Sequence, residues 1–171
     1  MRQTLWEAIR KRLEEYPERL RVARTLVENG LCIIDSKVFL GAIEIPNAKI
    51  ARAVGVDRRT VSETIAMVSQ DSKLNAIFSE LEPAGASLKR NAKNLGFGVV
   101  EITAEDPSTV GILAGASKLL ADAGISIRQA LVDDPELDPD PKLVLIGEKA
   151  VPGELIPEIL KIKGVARVSV S

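Results

Sequence analysis

The chain of 171 residues contains no histidine and one cysteine, Cys32. The missing histidine excludes Ser–His and Cys–His catalytic pairs and removes the commonest metal ligand. One cysteine cannot form an intrachain disulfide or a zinc cluster, and the apolar neighbours of Cys32 predict a core position. Such cysteine usage suits a reducing compartment, so we expect a cytoplasmic protein. We expect neither an enzyme nor a site for a metal or cofactor.

Long apolar runs and aromatic residues are also scarce. No run approaches the roughly 20 residues that a membrane-spanning helix needs, so we expect no membrane association. The charged, amphipathic N-terminus lacks the pattern of a secretory signal peptide. Aromatic residues make up 3% of the sequence, which weighs against folds that stack nucleic-acid bases on aromatic side chains.

Charge is divided unevenly along the chain, although the formal net charge is −1. Residues 1–95 contain 16 Lys and Arg against 12 Asp and Glu, whereas residues 96–171 contain 7 against 12. This asymmetry suggests that the first half faces nucleic acid. A stretch containing Pro, Gly and Ser separates the halves. We therefore predict one domain at residues 1–82, a linker at 83–95 and a second domain at 96–171.

The second half is organised around the segment VGILAGASKLLADAGISI, residues 110–127. Its apolar residues repeat with the period of a helix between Gly111 and Gly124. Alternating apolar runs around it predict strands, and residues 152–163 predict a short second helix. The predicted order is β-α-β-β-α-β, the ferredoxin-like pattern with both helices on one face of a four-stranded antiparallel sheet. The other face is mixed in polarity, which suggests oligomerisation.

The same segment resembles the signature of the ACT domain, an amino-acid-sensing module of metabolic enzymes and regulators. Gly111 matches the glycine of that family's first loop, an apolar pair follows it, and residues 124–127 match the start of the second strand. The turn in KIKGVARVSV is similar to the family's last helix-to-strand turn. Valine replaces the loop proline, serine the acid and serine the strand asparagine, at Val110, Ser108 and Ser126.

The resemblance implies that a small ligand, usually an amino acid, binds between the loop after the first strand and a neighbouring subunit. We therefore expect a homodimer or a larger homo-oligomer. Backbone N–H groups at a helix N-terminus attract a carboxylate, which suits such a ligand. The expected ligand-binding residues are Asp106, Ser108, Thr109, Val110, Gly111, Ile112, Ser126 and Arg128. In the alternative interpretation, Asp106 only caps the helix, with Pro107 at its first position.

Two other uses of this half are weaker. An RNA-recognition domain has the same element order but needs aromatic residues on its first and third strands, and only Phe97 is available. The acidic residues between 133 and 140 lack the glycine and glutamate of an EF-hand loop. They are either a solvated hairpin tip or a site for a hard cation.

The first half has mostly helical periodicity. The exception is the β-branched run LCIIDSKVFLGAIEI, which we expect to be extended or to form a short hairpin. The segment NAKIARAVGVDRRTVSETIAMV then resembles a helix-turn-helix. Asn47 would cap its first helix, Gly55 would allow the turn, and Asp57 would cap the second helix.

In a helix-turn-helix, the second helix presents its first residues to base edges, and nearby cations contact phosphates. The expected DNA contacts are Lys49, Arg52, Arg58, Arg59, Thr60 and Ser62. Alternatively, the three-helix unit is a packing or protein-interaction module. The low isoelectric point, about 5.7, argues against strong non-specific affinity for DNA.

The whole arrangement, with class α+β, resembles the archaeal predicted regulators of amino acid metabolism. The resemblance implies a transcriptional regulator whose operator affinity changes when an amino acid binds to the ACT-like domain. Its partners would be the effector, operator DNA and a second copy of the chain. The alternative is a regulatory subunit that does not bind DNA and docks on a biosynthetic enzyme through its helical half.

Overall fold

A computed structural model of the protein describes residues 4–171. The chain divides into two compact units, Met1–Gly85 and Ala86–Ser171. Each unit combines helices with one antiparallel sheet, so the fold class is α+β, as predicted. The division falls inside the predicted linker at 83–95, and most of that segment belongs to the second unit. Among the described residues, no helix is long and apolar enough to cross a membrane.

The described part of the first unit contains five helices and a three-stranded sheet. The helices are α1 (Leu5–Leu13), α2 (Pro17–Glu28), α3 (Asn47–Val54), α4 (Arg58–Gln70) and α5 (Ser72–Ser79). The strands β1 (Cys32–Ile34), β2 (Lys37–Leu40) and β3 (Ile43–Ile45) pair in chain order. The run expected to be extended or a short hairpin therefore forms two successive hairpins. The first turns at Asp35 and Ser36, whose φ angles of 50° and 61° are those of a tight hairpin turn.

Apolar faces of all five helices form the core of the first unit. Fully buried residues include Leu13 of α1, Leu26 of α2, Val61 of α4 and Phe78 of α5. Cys32 is buried, as its neighbours predict. α3 ends at Gly55, which adopts φ +73°. This left-handed conformation favours glycine and permits the short turn before α4.

The second unit has the element order β-α-β-β-α-β. Its elements are β4 (Gly98–Ala104), α6 (Ile112–Asp122), β5 (Ile127–Val132), β6 (Lys142–Gly147), α7 (Leu155–Leu160) and β7 (Val165–Val170). The strands lie in the order β5-β6-β4-β7, and every neighbouring pair is antiparallel. Because β4 and β5 both run antiparallel to β6, their C-terminal ends lie at the same edge of the sheet.

Each face of this sheet packs against an apolar cluster. One face packs Val100 and Leu145 against α6 and α7. The other packs Val99 and Ile146 against Leu88 and Ala92, which belong to the segment predicted as a linker. Two short 3₁₀ turns, Lys89–Asn91 and Lys93–Leu95, shape this segment. The face that suggested oligomerisation is thus partly covered by the chain itself.

Gln129 of β5 holds this covering segment to the sheet. The Leu88 backbone N–H donates to its side-chain oxygen at 3.0 Å, and its side-chain N–H donates to the Ala86 carbonyl at 3.0 Å. These two bonds use both the oxygen and the nitrogen of the Gln129 side-chain amide. They explain why the segment packs as part of the unit, which its Gly-, Ser- and Lys-containing composition does not suggest.

Candidate functional site

A cavity of about 140 Å³ lies at the edge of the second sheet where β4 and β5 end and β6 begins. The loop after β4 and the first turn of α6 close its remaining sides. Its lining is mainly apolar, and it consists of Ile102, Ala104, Pro107, Thr109, Gly111, Ile112, Leu113, Val132, Asp133, Pro141, Lys142 and Leu143. The register pairs Thr103 with Lys142 and Val132 with Leu143, which brings the three strands to this edge.

The loop that walls the cavity, residues 105–111, is fixed at its base by Gly164. The Glu105 backbone N–H donates to the Gly164 carbonyl at 2.8 Å. The Thr109 side chain packs so closely on Gly164 that an added Cβ there would lie 2.6 Å from the threonine Cγ2. Gly164 also adopts φ +86°. A residue with a side chain at position 164 would therefore disturb Thr109 as well as its own backbone.

Asp106 stabilises the loop without capping α6. Its carboxylate accepts hydrogen bonds from the Ser108 hydroxyl at 2.7 Å and from the Ser108 backbone N–H at 2.8 Å. These bonds, with that of the hydroxyl first, hold the pKa of Asp106 below its usual value. The helix begins only at Ile112, so the alternative in which Asp106 caps it is wrong. The carboxylate turns back on its own loop because two donors lie two residues away.

The N-terminus of α6 faces the cavity without a side-chain cap. Gly111 occupies the N-cap position with φ +94°. The first bond of the helix runs from the Gly115 N–H to the Gly111 carbonyl at 2.9 Å. The N–H groups of the first helical turn therefore have no carbonyl partner within the helix, and the helix dipole makes them attractive to an anion. Gly111, Ile112 and Leu113 bring this turn to the cavity.

The two ionised side chains of the lining already have partners. The Lys142 backbone N–H donates to the Asp133 carboxylate at 3.1 Å. The Lys142 ammonium lies 3.2 Å from a carboxylate oxygen of Asp140, which also lies 3.5 Å from the Arg167 guanidinium. The charge of Lys142 is thus matched within the chain, whereas the Asp133 carboxylate accepts only an uncharged backbone N–H.

The predicted ligand-binding residues fall into three groups. Thr109, Gly111 and Ile112 line the cavity, whereas Asp106, Ser108 and Val110 lie in the same loop outside the lining. Val110 is 93% exposed. Ser126 and Arg128 lie at the other end of β5, because Ile127 pairs with Gly147. One chain therefore does not bring them to the cavity, and Arg128 lies 3.8 Å from Glu148.

Sequence reasoning missed the part of the lining that comes from β5 and β6, namely Val132, Asp133, Pro141, Lys142 and Leu143. The signal was present in the predicted topology. In an antiparallel β-α-β-β unit, the end of the second strand and the start of the third lie beside the end of the first. Tracing that edge would have found these residues.

The predicted DNA-contacting residues lie on α3 and at the start of α4. Asp57 caps α4 by accepting from the Arg59 N–H at 2.7 Å. Asn47 does not cap α3 as predicted: Pro46 precedes the helix, and Asn47 is its first residue. The Asn47 amide instead donates to the Ser62 hydroxyl of α4 at 3.1 Å. This bond joins the two helices through the side-chain nitrogen of Asn47.

The cations of this surface are only partly available. Arg59 donates to Glu63 at 2.9 Å, and Arg19 of α2 donates to the same carboxylate at 2.7 Å. These bonds, with that of Arg19 first, lower the pKa of Glu63 and keep it ionised. Thr60 lies 3.5 Å from Glu18. The first half of α4 thus carries a negative charge, the Glu63 carboxylate, which two arginines hold in place.

Three other cations of the α3–α4 surface remain available to bind a ligand. Within residues 4–171, Lys49, Arg52 and Arg58 are exposed and take part in no ion pair. Arg58 lines a 240 Å³ cavity together with Asn47 and residues of β2 and β3, among them Lys37 and Glu44. This cluster could contact phosphate oxygens. Elsewhere in the described chain, no group of three or more His, Cys, Asp or Glu side chains is arranged to hold a metal ion.

In comparisons with known proteins, neither a family model nor a curated protein matches this chain.

Proposed function

We propose that the protein is an amino-acid-responsive transcriptional regulator. In this proposal the second unit is a ferredoxin-like, ACT-like sensor, and the first unit is a helix-turn-helix-like DNA-binding domain. The cavity walled by residues 105–111 carries the proposal, because this is the loop at which the resemblance implies a ligand.

The sensor is supported by topology and by electrostatics. The strand order β5-β6-β4-β7, with the helices α6 and α7 on one face, agrees with the ferredoxin-like pattern. The uncapped first turn of α6 offers N–H donors to the carboxylate of an amino acid. The apolar part of the lining would receive the side chain.

The DNA-binding domain is supported by the pair α3–α4 and its open cations. The short turn at Gly55 lets α4 follow α3 closely, and α2 packs on both helices, as in a three-helix DNA-binding unit. Arg58 and Arg59 stand at the N-terminal end of α4, where such helices meet base edges. Lys49 and Arg52 of α3 would contact the phosphate backbone.

Regulation follows from linkage in a homodimer. An amino acid that binds one state of the dimer more tightly shifts the population toward that state. If the two states differ in operator affinity, DNA and amino acid change each other's binding by the same factor.

The test is binding of fluorescent genomic fragments to the full chain, measured by anisotropy with and without each amino acid. We expect sequence-specific binding that one amino acid changes by about 5- to 150-fold, the usual range of allosteric coupling. The double variant Arg58→Ala/Arg59→Ala should weaken specific binding by at least roughly tenfold, since one good base contact supplies about 1–3 kcal/mol of discrimination. Lys73→Ala, an exposed cation of α5, is the matched control and should bind as the parent does.

The ion-paired Glu63 favours a second candidate function. In it, the protein is a regulatory subunit that docks on a biosynthetic enzyme through the first unit. A carboxylate held between Arg19 and Arg59 suits a protein surface better than a phosphate backbone. Absence of any sequence-specific DNA binding at low salt, with every amino acid tried, would reject the DNA-binding function. Co-purification of a biosynthetic enzyme, unaffected by Arg58→Ala/Arg59→Ala, would then support this candidate.

A further inference from the structure

We propose that the cavity of the second unit selects an α-amino acid with a small aliphatic side chain, in the size range of valine, leucine and isoleucine. This inference rests on the proposed sensor function and adds the chemical class of its ligand. Three features of the cavity carry it: the aliphatic lining, the paired lysine and the volume.

The lining that would surround a ligand side chain is aliphatic. Ile102 and Leu143 come from the central strands, and Ile112 and Leu113 from the first turn of α6. Among the described lining residues, none is aromatic. Saturated side chains of this kind gain by removing the apolar surface of an aliphatic ligand from water. They offer neither stacking nor a hydrogen bond to an aromatic or amide side chain.

The paired lysine of the lining disfavours a ligand with an acidic side chain. The Lys142 ammonium lies 3.2 Å from Asp140, whereas Asp133 accepts only the Lys142 backbone N–H, at 3.1 Å. An acidic ligand side chain would therefore lose its water without gaining an unpaired counter-charge. Such a loss is costly in an apolar site.

The volume sets the upper limit on size. A cavity of about 140 Å³ is close to the engineered apolar cavity of about 150 Å³ that accepts benzene. Three or four aliphatic carbons fit this space with an amino-acid backbone at its mouth, whereas the two fused rings of a tryptophan side chain would exceed a benzene-sized volume. An alanine side chain would leave most of the cavity empty.

The experiment is isothermal titration of the full chain with a panel of L-amino acids: valine, leucine, isoleucine, alanine, phenylalanine, lysine and glutamate. We expect one of the three branched aliphatic amino acids to bind at least tenfold more tightly than alanine, because each methylene in an apolar pocket changes affinity by roughly 10- to 200-fold. Glutamate should bind more weakly still, because the lysine of the lining is already paired.

Two variants locate the binding. Ala104→Leu would fill the cavity from β4 and should reduce the affinity for the best ligand at least tenfold, whereas Ala121→Leu, on an exposed position of α6, should not. If Ala104→Leu fails to fold by circular dichroism, Leu113→Ala is the second test. It enlarges the cavity and should shift preference toward the larger side chains of the panel.

The possible failures are distinct. Tightest binding of lysine, glutamate or phenylalanine, if weakened by Ala104→Leu, would overturn the aliphatic ligand class and leave the sensor function standing. Aliphatic binding that neither Ala104→Leu nor Leu113→Ala alters would overturn the assignment to this cavity. No heat of binding with any of the twenty amino acids at millimolar concentration would overturn both this inference and the sensor part of the proposed function.

Discussion

The cavity of the second unit and the α3–α4 surface of the first unit differ in the chemistry that they offer a ligand. The cavity is lined mainly by apolar side chains, and its lysine, Lys142, is paired within the chain with Asp140. The α3–α4 surface carries the open cations Lys49, Arg52 and Arg58, and its one central carboxylate, Glu63, is held by two arginines. Recognition at the cavity would depend on shape, whereas recognition at the α3–α4 surface would depend on charge.

This difference has a practical consequence. Contacts that bury apolar surface change little with ionic strength, while contacts between exposed charges weaken as salt screens them. The two proposed activities can therefore be perturbed separately. The following predictions use this separation, beginning with the largest effect.

The largest effect should come from truncating the two cores. Leu26→Ala in the first unit and Leu120→Ala in the second each remove a fully buried side chain, which costs about 2–5 kcal/mol of unfolding free energy. Trp6 is the only tryptophan and packs on the first core. In urea titrations, Leu26→Ala should shift the fluorescence midpoint, and Leu120→Ala should shift only the circular-dichroism transition. Equal shifts of both signals by each variant would show that the units do not unfold separately.

A smaller effect is expected from Gly164→Ala, which acts on the cavity wall. The left-handed φ of +86° costs a residue with a Cβ about 1–2 kcal/mol, and the new Cβ would displace Thr109. The unfolding free energy of the second unit should fall by about that amount. Amino-acid affinity measured by titration should also fall, because the displaced Thr109 is part of the cavity lining. DNA binding without the amino acid should be unchanged.

Gly153→Ala is the control for that substitution. A Cβ at position 153 would meet no atom within 4 Å, and its φ lies outside the left-handed region. It should leave amino-acid affinity unaltered. If Gly153→Ala weakens binding as much as Gly164→Ala does, the anchoring of the loop by Gly164 is not the cause.

Periodicity and glycine positions were enough to predict most of the fold. The stripe between Gly111 and Gly124 predicted α6, and the inward-facing residues of α4 follow from the same period. Patterns of this kind are local, so they do not depend on knowing the tertiary structure. The packing of Leu88 and Ala92 on the sheet was not predictable in this way, because it depends on a distant partner, Gln129.

In the candidate site, too, local patterns predicted some residues, and long-range contacts brought in the others. The loop residues Thr109 and Gly111 were found through a local motif, and the structure brings both to the cavity. Val132 and Lys142 were missed because they reach it only through strand pairing. Asn47 was misassigned as a cap because α3 begins at Asn47 itself, with Pro46 before it. The first residue of a helix is the feature that a sequence pattern locates least well.

The dependence on salt concentration should distinguish DNA binding from amino-acid binding, with a smaller effect than the substitutions above. Each lost phosphate contact reduces the slope of log affinity against log salt by about 0.9. Arg52→Ala should therefore lower the magnitude of the slope for DNA by roughly one unit if Arg52 contacts one phosphate. Amino-acid affinity should hardly change between low and moderate salt. An unchanged DNA slope would remove Arg52 from the phosphate contacts, and a steep slope for the amino acid would contradict its apolar recognition.

The smallest effect concerns acid stability, which should also differ between the two regions. The pKa of Glu63 is lowered first by the hydrogen bond from Arg19 and then by that from Arg59. A carboxyl whose pKa is lower when folded stabilises the protein fully above its unfolded pKa, about 4.3, and loses that contribution as the pH falls through the folded value. Glu63→Gln should therefore lower the Trp6-monitored urea midpoint at pH 7, and the deficit should shrink at acidic pH. Asp106→Asn removes the corresponding lowered pKa of the cavity loop, so it should leave this fluorescence midpoint unchanged at both pH values. A Glu63→Gln deficit that stays constant with pH would mean that packing, rather than the ion pairs of the α3–α4 surface, accounts for the effect of that residue.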